Sequence, residues 1–147
     1  MPTQTKSIMG FDFGRRRIGV AIGQTLTRAA SPLTTIAHRN EPDWAAIERL
    51  IAEWQPDMLL VGLPLHADGS PSPLSQQAHS FSLQLKKRFR LSVLTIDERL
   101  SSREAEQLLA QSPKRSQRRN KAAVDSLAAA IIVETWLHQE AATGVEV

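Results

Sequence analysis

The stretch Ile8-Met9-Gly10-Phe11-Asp12-Phe13-Gly14-Arg15-Arg16-Arg17-Ile18-Gly19-Val20-Ala21-Ile22 decides the architecture of this chain. It reads as a strand, a tight basic turn and a second strand. Alternation puts Ile8, Gly10 and Asp12 on one face of the first strand, and Met9, Phe11 and Phe13 on the other. An aspartate is out of place here, because a short polar side chain gains nothing from a half-buried pleated surface. Left buried and unpaired it would cost several kcal/mol, on the scale of a whole domain's stability. Two explanations stand at this point: a salt bridge to an arginine of the turn, or a metal ion.

Working outward, Ser31 to Ile36 reads as a third strand, with Pro32 near its start as an edge position permits. Three strands joined by short turns form an antiparallel meander. A helix opens at Glu41-Pro42, repeats Trp44, Ile47, Ile51 and Trp54 as core anchors at helical spacing, and ends at Gln55-Pro56. Met58 to Leu63 is an unbroken apolar run, as in a strand covered on both faces. After the loop from Pro64 to Pro73, a second helix carries Leu74, Ala78, Phe81 and Leu85 and stops near Phe89; Leu91 to Asp97 is a fifth strand. Ser101 and Glu104 make a capping box for a third helix ending by Gln111, Ser112 to Asn120 is a basic loop, and a last helix runs from about Lys121 to His138. The order predicts an α/β fold, a mixed sheet flanked by helices. Residues 1–138 form one domain, and 139–147 read as a disordered tail.

Composition narrows the class. A chain of 147 residues, 41 % hydrophobic and 22 % charged, is an ordinary soluble globule with one core. No cysteine is present, which excludes disulfides and thiolate metal sites and suits the cytoplasm. The first residues lack the apolar core of a secretory signal, and the longest apolar run, Leu127 to Val133, is far too short to span a membrane. Net charge is only +3, but the cations cluster: Arg15, Arg16 and Arg17 in the turn, and Lys114, Arg115, Arg118, Arg119 and Lys121 before the last helix. Local basic knots in a near-neutral protein point to a phosphate-bearing partner.

Two further acids sit in apolar company. At the end of the fifth strand stand Asp97 and Glu98, between which periodicity does not choose; an exposed acid paired with Arg99 is the plainer alternative. In the last helix Asp125 lies in Ala122 to Val133, apolar nearly all round. A helix N-terminus stabilises an acid by only about 0.3–1 kcal/mol, too little to hold a charge in such a wall. A local pair with Lys121 is the alternative. If three acids converge, a cation must relieve their repulsion. Oxygen ligands without cysteine or histidine favour Mg²⁺ or Mn²⁺ over zinc. A pair of such ions about 4 Å apart activates water and stabilises the leaving oxygen of a phosphodiester. With Arg15, Arg16, Arg99, Lys114, Arg115, Arg118, Arg119 and Lys121 to hold the backbone phosphates, the combination describes a nuclease.

Four motifs carry a resemblance to a known family. Gly10 to Ala21 resembles the opening motif of the YqgF (also RuvX) family, and Val61-Gly62-Leu63-Pro64-Leu65 with Asp68-Gly69 resembles its second. Asp97-Glu98-Arg99-Leu100-Ser101-Ser102 is similar to its fifth-strand motif, and Lys121 with Val124-Asp125-Ser126 to its closing helix. The resemblance implies a ribonuclease H-like fold, a five-stranded mixed sheet of three antiparallel strands then two parallel ones. It implies that Asp12, Glu98 and Asp125 are the catalytic, metal-holding acids, choosing Glu98 over Asp97. It also implies nucleolytic maturation of the 5′ end of small-subunit ribosomal RNA, in a family long labelled Holliday junction resolvases by likeness to others on this fold. Two departures stand out: Gln24-Thr25 where many members have an acid, and Ser72 where glycine is common. A junction resolvase cutting branched DNA and a non-catalytic RNA-binding factor are the rival functions. The expected partner is RNA in ribosomal precursors, with no membrane association. No apolar seam announces a stable dimer, so a monomer or weak dimer is expected.

Overall fold

The computed structural model describes residues 6–66, 68–97, 121–139 and 145–146. Strands β1 (Ser7–Phe13) and β2 (Arg17–Gln24) form the hairpin expected from the opening stretch, and β3 (Ala29–Ala37) extends it. Helix α1 (Trp44–Trp54) leads to β4 (Met58–Leu63), α2 (Pro73–Phe89) to β5 (Ser92–Asp97), and α3 (Lys121–Gln139) to the two-residue β6 (Val145–Glu146). The sheet order is β3-β2-β1-β4-β5-β6. The first three strands are antiparallel neighbours, while β4 runs parallel to β1 and β5 parallel to β4.

Alternation sorts the side chains as the sequence predicts. Met9, Phe11, Phe13, Ile18 and Val20 are buried with Ile47 of α1 and Phe81 of α2 on one face. Ile8, Leu60 and Ile96 pack on the other face against Ile132, Val133 and Trp136 of α3. Helix α3 lies unusually close to the sheet, because Gly10 and Gly19 leave no side chain in its path. A Cβ on Gly10 would meet Val133, and one on Gly19 the backbone of Asp125 and Ser126. Ala129 and Ala130, both buried, pack with Ala21 of β2 and complete this small-residue contact.

Three differences from the expectations have physical causes. Trp54, read as a core anchor, is 43 % exposed. Periodicity fixes an angle around a helix but not depth along it, and Trp54 is the last residue of α1 before Gln55 turns left-handed. Within the expected disordered tail, Val145 and Glu146 pair antiparallel with Thr95 and Leu94. The backbone groups along that side of β5 would otherwise be unpaired, and a short strand satisfies them. Helix α1 starts at Trp44 with Asp43 as its cap, one residue beyond Pro42. The expected helix from Ser101 to Gln111 and the basic loop from Ser112 to Asn120 lie outside the described residues.

Ser72 finds its reason here. It caps α2, accepting from the Ser75 N–H at 3.0 Å while the Ser75 hydroxyl accepts from the Ser72 N–H at 2.7 Å. Its own hydroxyl donates to the Pro64 carbonyl at 2.6 Å, tying the loop after β4 to the helix.

Candidate functional site

Asp12 and Asp125 are both neighbours of one glycine, Gly19. Asp12 faces α3, as Ile8 and Gly10 do on the same strand, and its partners in the sheet are Gly19 on β2 and Gly62 on β4. The space a side chain on Gly19 would fill is occupied by the backbone of Asp125. Two acids separated by more than a hundred positions thus share one patch, flanked on the sheet by residues without side chains. Both are half-buried, and Asp12 has polar interactions of its own.

Asp125 is held by an arginine that the sequence places in the basic turn without assigning it to this acid. Arg17 donates from Nε to Asp125 Oδ2 at 2.8 Å. The signal was present in the alternation: Arg17, Gly19, Ala21 and Gly23 share the face of β2 toward α3, and Arg17 is the one with a long basic side chain. The anticipated partner, Lys121, begins α3, but its side chain is outside the described residues. The pair leaves the carboxylate's other oxygen for further bonding, since a carboxylate offers about four lone-pair sites.

Asp97 ends β5 on the face of Val93, toward α1 and α2, and so away from Asp12. Glu98, Arg99, Lys114, Arg115, Arg118 and Arg119 lie outside the described residues. Among the described residues no group of three or more metal-ligating side chains occurs. His66 and His79 are both exposed.

The basic turn is rigidly built. The Gly14 N–H donates to the Arg17 carbonyl at 2.9 Å, closing the hairpin. His38, at the end of β3, clamps it twice: its backbone N–H donates to the Arg16 carbonyl at 2.9 Å, and Nδ1 lies 2.7 Å from the Gly14 carbonyl. Because a carbonyl only accepts, that nitrogen carries the proton. The His38 ring also rests against Phe13, with centroids 4.7 Å apart. Arg15 and Arg16 are exposed at the tip.

An antiparallel hairpin continued by parallel strands, with a helix packed on one face, defines an α/β fold of the ribonuclease H-like kind. Solved structures show the same fold. Thermus thermophilus RuvC in complex with Holliday junction substrate matches with a TM-score of 0.55 at 14 % identity, over 97 % of this chain and 99 % of that one. A second Thermus thermophilus RuvC structure gives 0.53 at 13 % identity, over 96 % and 99 %. The chain belongs to the RuvX family, described as Holliday junction resolvase, which it matches over residues 6–139. It is a nuclease. Similar proteins bear the name "Putative pre-16S rRNA nuclease". One from Nitrosococcus oceani is 45 % identical over 140 residues, covering 95 % of this chain and 91 % of the relative. One from Pseudomonas aeruginosa is 48 % identical over 132 residues, covering 88 % and 90 %.

Proposed function

We propose that this nuclease hydrolyses phosphodiester bonds in structured RNA, maturing the 5′ end of the small-subunit ribosomal RNA precursor. The observation that supports the reading is that Asp12 and the backbone of Asp125 both neighbour Gly19, beside the arginine turn. The name borne by the similar proteins supports the substrate. Glu98 is the third acid, and the orientation of Asp97 toward the other layer supports that choice.

The donor set fits Mg²⁺ or Mn²⁺. Asp12 and Asp125 supply hard oxygens, Arg17 takes up one oxygen of Asp125, and the chain has no thiol to compete. When bound, such ions supply an activated water and charge stabilisation at the leaving oxygen. Asp12, Glu98 and Asp125 would hold them. Arg17 orients the Asp125 carboxylate, and Arg15 and Arg16 hold substrate phosphates. Arg99, Lys114, Arg115, Arg118, Arg119 and Lys121 add cations along the backbone path. The protein acts in the cytoplasm on precursor ribosomal particles, as a monomer or weak dimer. None of the described helices is long and apolar enough to cross a membrane.

The deciding experiment compares wild type with Asp12→Asn on precursor ribosomal RNA and on branched DNA, with Mg²⁺ or Mn²⁺ added or chelated. Expected is cation-dependent cleavage of the RNA, lost by more than ~100-fold in the variant, above the cost of losing a group that merely orients a ligand. RNA affinity in the variant is retained. Preferential cutting of branched DNA would favour the resolvase reading carried by the family description. Full function of Asp12→Asn in cells would favour a non-catalytic RNA-binding role.

A further inference from the structure

On the face of the sheet opposite the two acids, a groove of about 560 Å³ opens between the end of β1, the segment after β3 and α2. Arg15, His38, Arg39, Gln77, Ser80 and Gln84 are among its walls. A second groove of about 610 Å³ adjoins it, sharing Arg15, His38 and Arg39 and adding Arg16 and Arg17. Together they form a continuous basic path around the tip of the β1–β2 hairpin. One end reaches Arg17, the partner of Asp125; the other lies among the amides and hydroxyl of α2. Among the described residues, Glu41 is the one acid on the walls of either groove.

We infer that this path is a docking track for the RNA backbone leading away from the point of cleavage. The inference rests on the nuclease reading above and adds a binding subsite to it. Phosphates are held by arginine and by neutral donors such as glutamine and serine, which position a strand without reading its sequence. Both kinds of donor line the grooves. Arg15 and Arg39 are exposed, and the turn between them is fixed by the two hydrogen bonds from His38, so little order need be created on binding. Not every cation of α2 takes part: Arg88 sits over the Trp44 ring, 4.1 Å from its centroid. Asp12 and Arg15 are three positions apart, at most ~11 Å along the chain, so one bound strand spans both.

The test is fluorescence anisotropy with labelled RNA in chelator, which prevents cutting, across a salt series. Two RNAs are compared, a long precursor fragment and one trimmed to the bases around the cut. Arg39→Ala is expected to weaken the long RNA about 5- to 10-fold and to lower the slope of log K against log salt by about 0.7–1. The trimmed RNA, too short to reach the groove, is unaffected. Arg39→Lys restores most of the affinity, which a folding defect would not allow. Lys87→Ala, removing an equal charge from α2 outside the groove, leaves the slope as in wild type. Equal affinity and slope for Arg39→Ala and wild type would overturn the proposal. So would unchanged RNA binding with lost association to ribosomal particles, which would assign the groove to a protein. Asp12→Asn separates the two readings, because it removes cleavage and leaves this binding intact.

Discussion

Arg17 and Asp125 form a half-exposed ion pair, with side chains 39 % and 26 % accessible, so solvent screens it. Removing the guanidinium therefore has little effect on stability. Arg17→Ala is expected to cost under about 1 kcal/mol, a shift of no more than ~4 °C in Tm by calorimetry. A larger drop would mean that the pair is structural rather than part of the site. Asp68 behaves differently. It accepts from the Ser70 hydroxyl at 2.6 Å and from the Ser70 N–H at 2.9 Å, and these bonds hold its carboxyl below the usual carboxylate range. The sign follows from linkage: a depressed pKa stabilises the folded loop above the ordinary value, and the effect fades as pH falls through the lowered one. Ser70→Ala should raise the Asp68 titration midpoint toward that of a free aspartate, read from its carboxyl carbon by NMR. An unmoved midpoint would refute the assignment.

At the scale of elements, the decisive contact is α3 on the hairpin. Gly19→Ala forces a methyl into the backbone of Asp125 and Ser126, neither of which is a flexible side-chain tip. The expected loss is about 2–3 kcal/mol, a fall of roughly 6–12 °C in Tm, with cleavage reduced further because Asp125 is displaced. An unchanged melting curve would show that α3 can slide. For α2, Ser72→Ala removes the cap and the bond to Pro64 together, and about 1–2 kcal/mol should be lost in denaturant titration. The elements themselves were legible in sequence because period-2 alternation is strong in β1 and β2, and apolar runs mark β4 and α3. Trp54 and the pairing of Val145-Glu146 were not. Depth along a helix and capture of an open sheet edge both depend on neighbours distant in sequence.

For the whole molecule, the two ends of the site differed in legibility. Asp12 and Asp125 could be picked out because a carboxylate among apolar residues needs a partner, and that is a local signal. Their shared glycine neighbour could not, since it depends on the parallel crossover and on how deeply α3 settles over Gly19. The pairing of Arg17 with Asp125, and the part played by Arg39 and His38, escaped notice for a related reason. Each is an unremarkable polar residue until the end of β3 is brought beside the β1–β2 turn. Electrostatics of the assembled surface then predicts strong salt dependence of RNA binding, steeper than the net charge of +3 suggests, because Arg15, Arg16, Arg17 and Arg39 are gathered on one path. A flat dependence between low and physiological salt would contradict that distribution.

The hairpin tip clamped by His38 has one more consequence. Asp12, proposed to help in cutting, and Arg15, proposed to grip the strand, ride on the same stiff piece of backbone, so on that proposal the interval between them works as a ruler. Splicing a single extra glycine into the tip should leave the blade sharp but offset, moving the mapped end of the product along the strand instead of abolishing the cut.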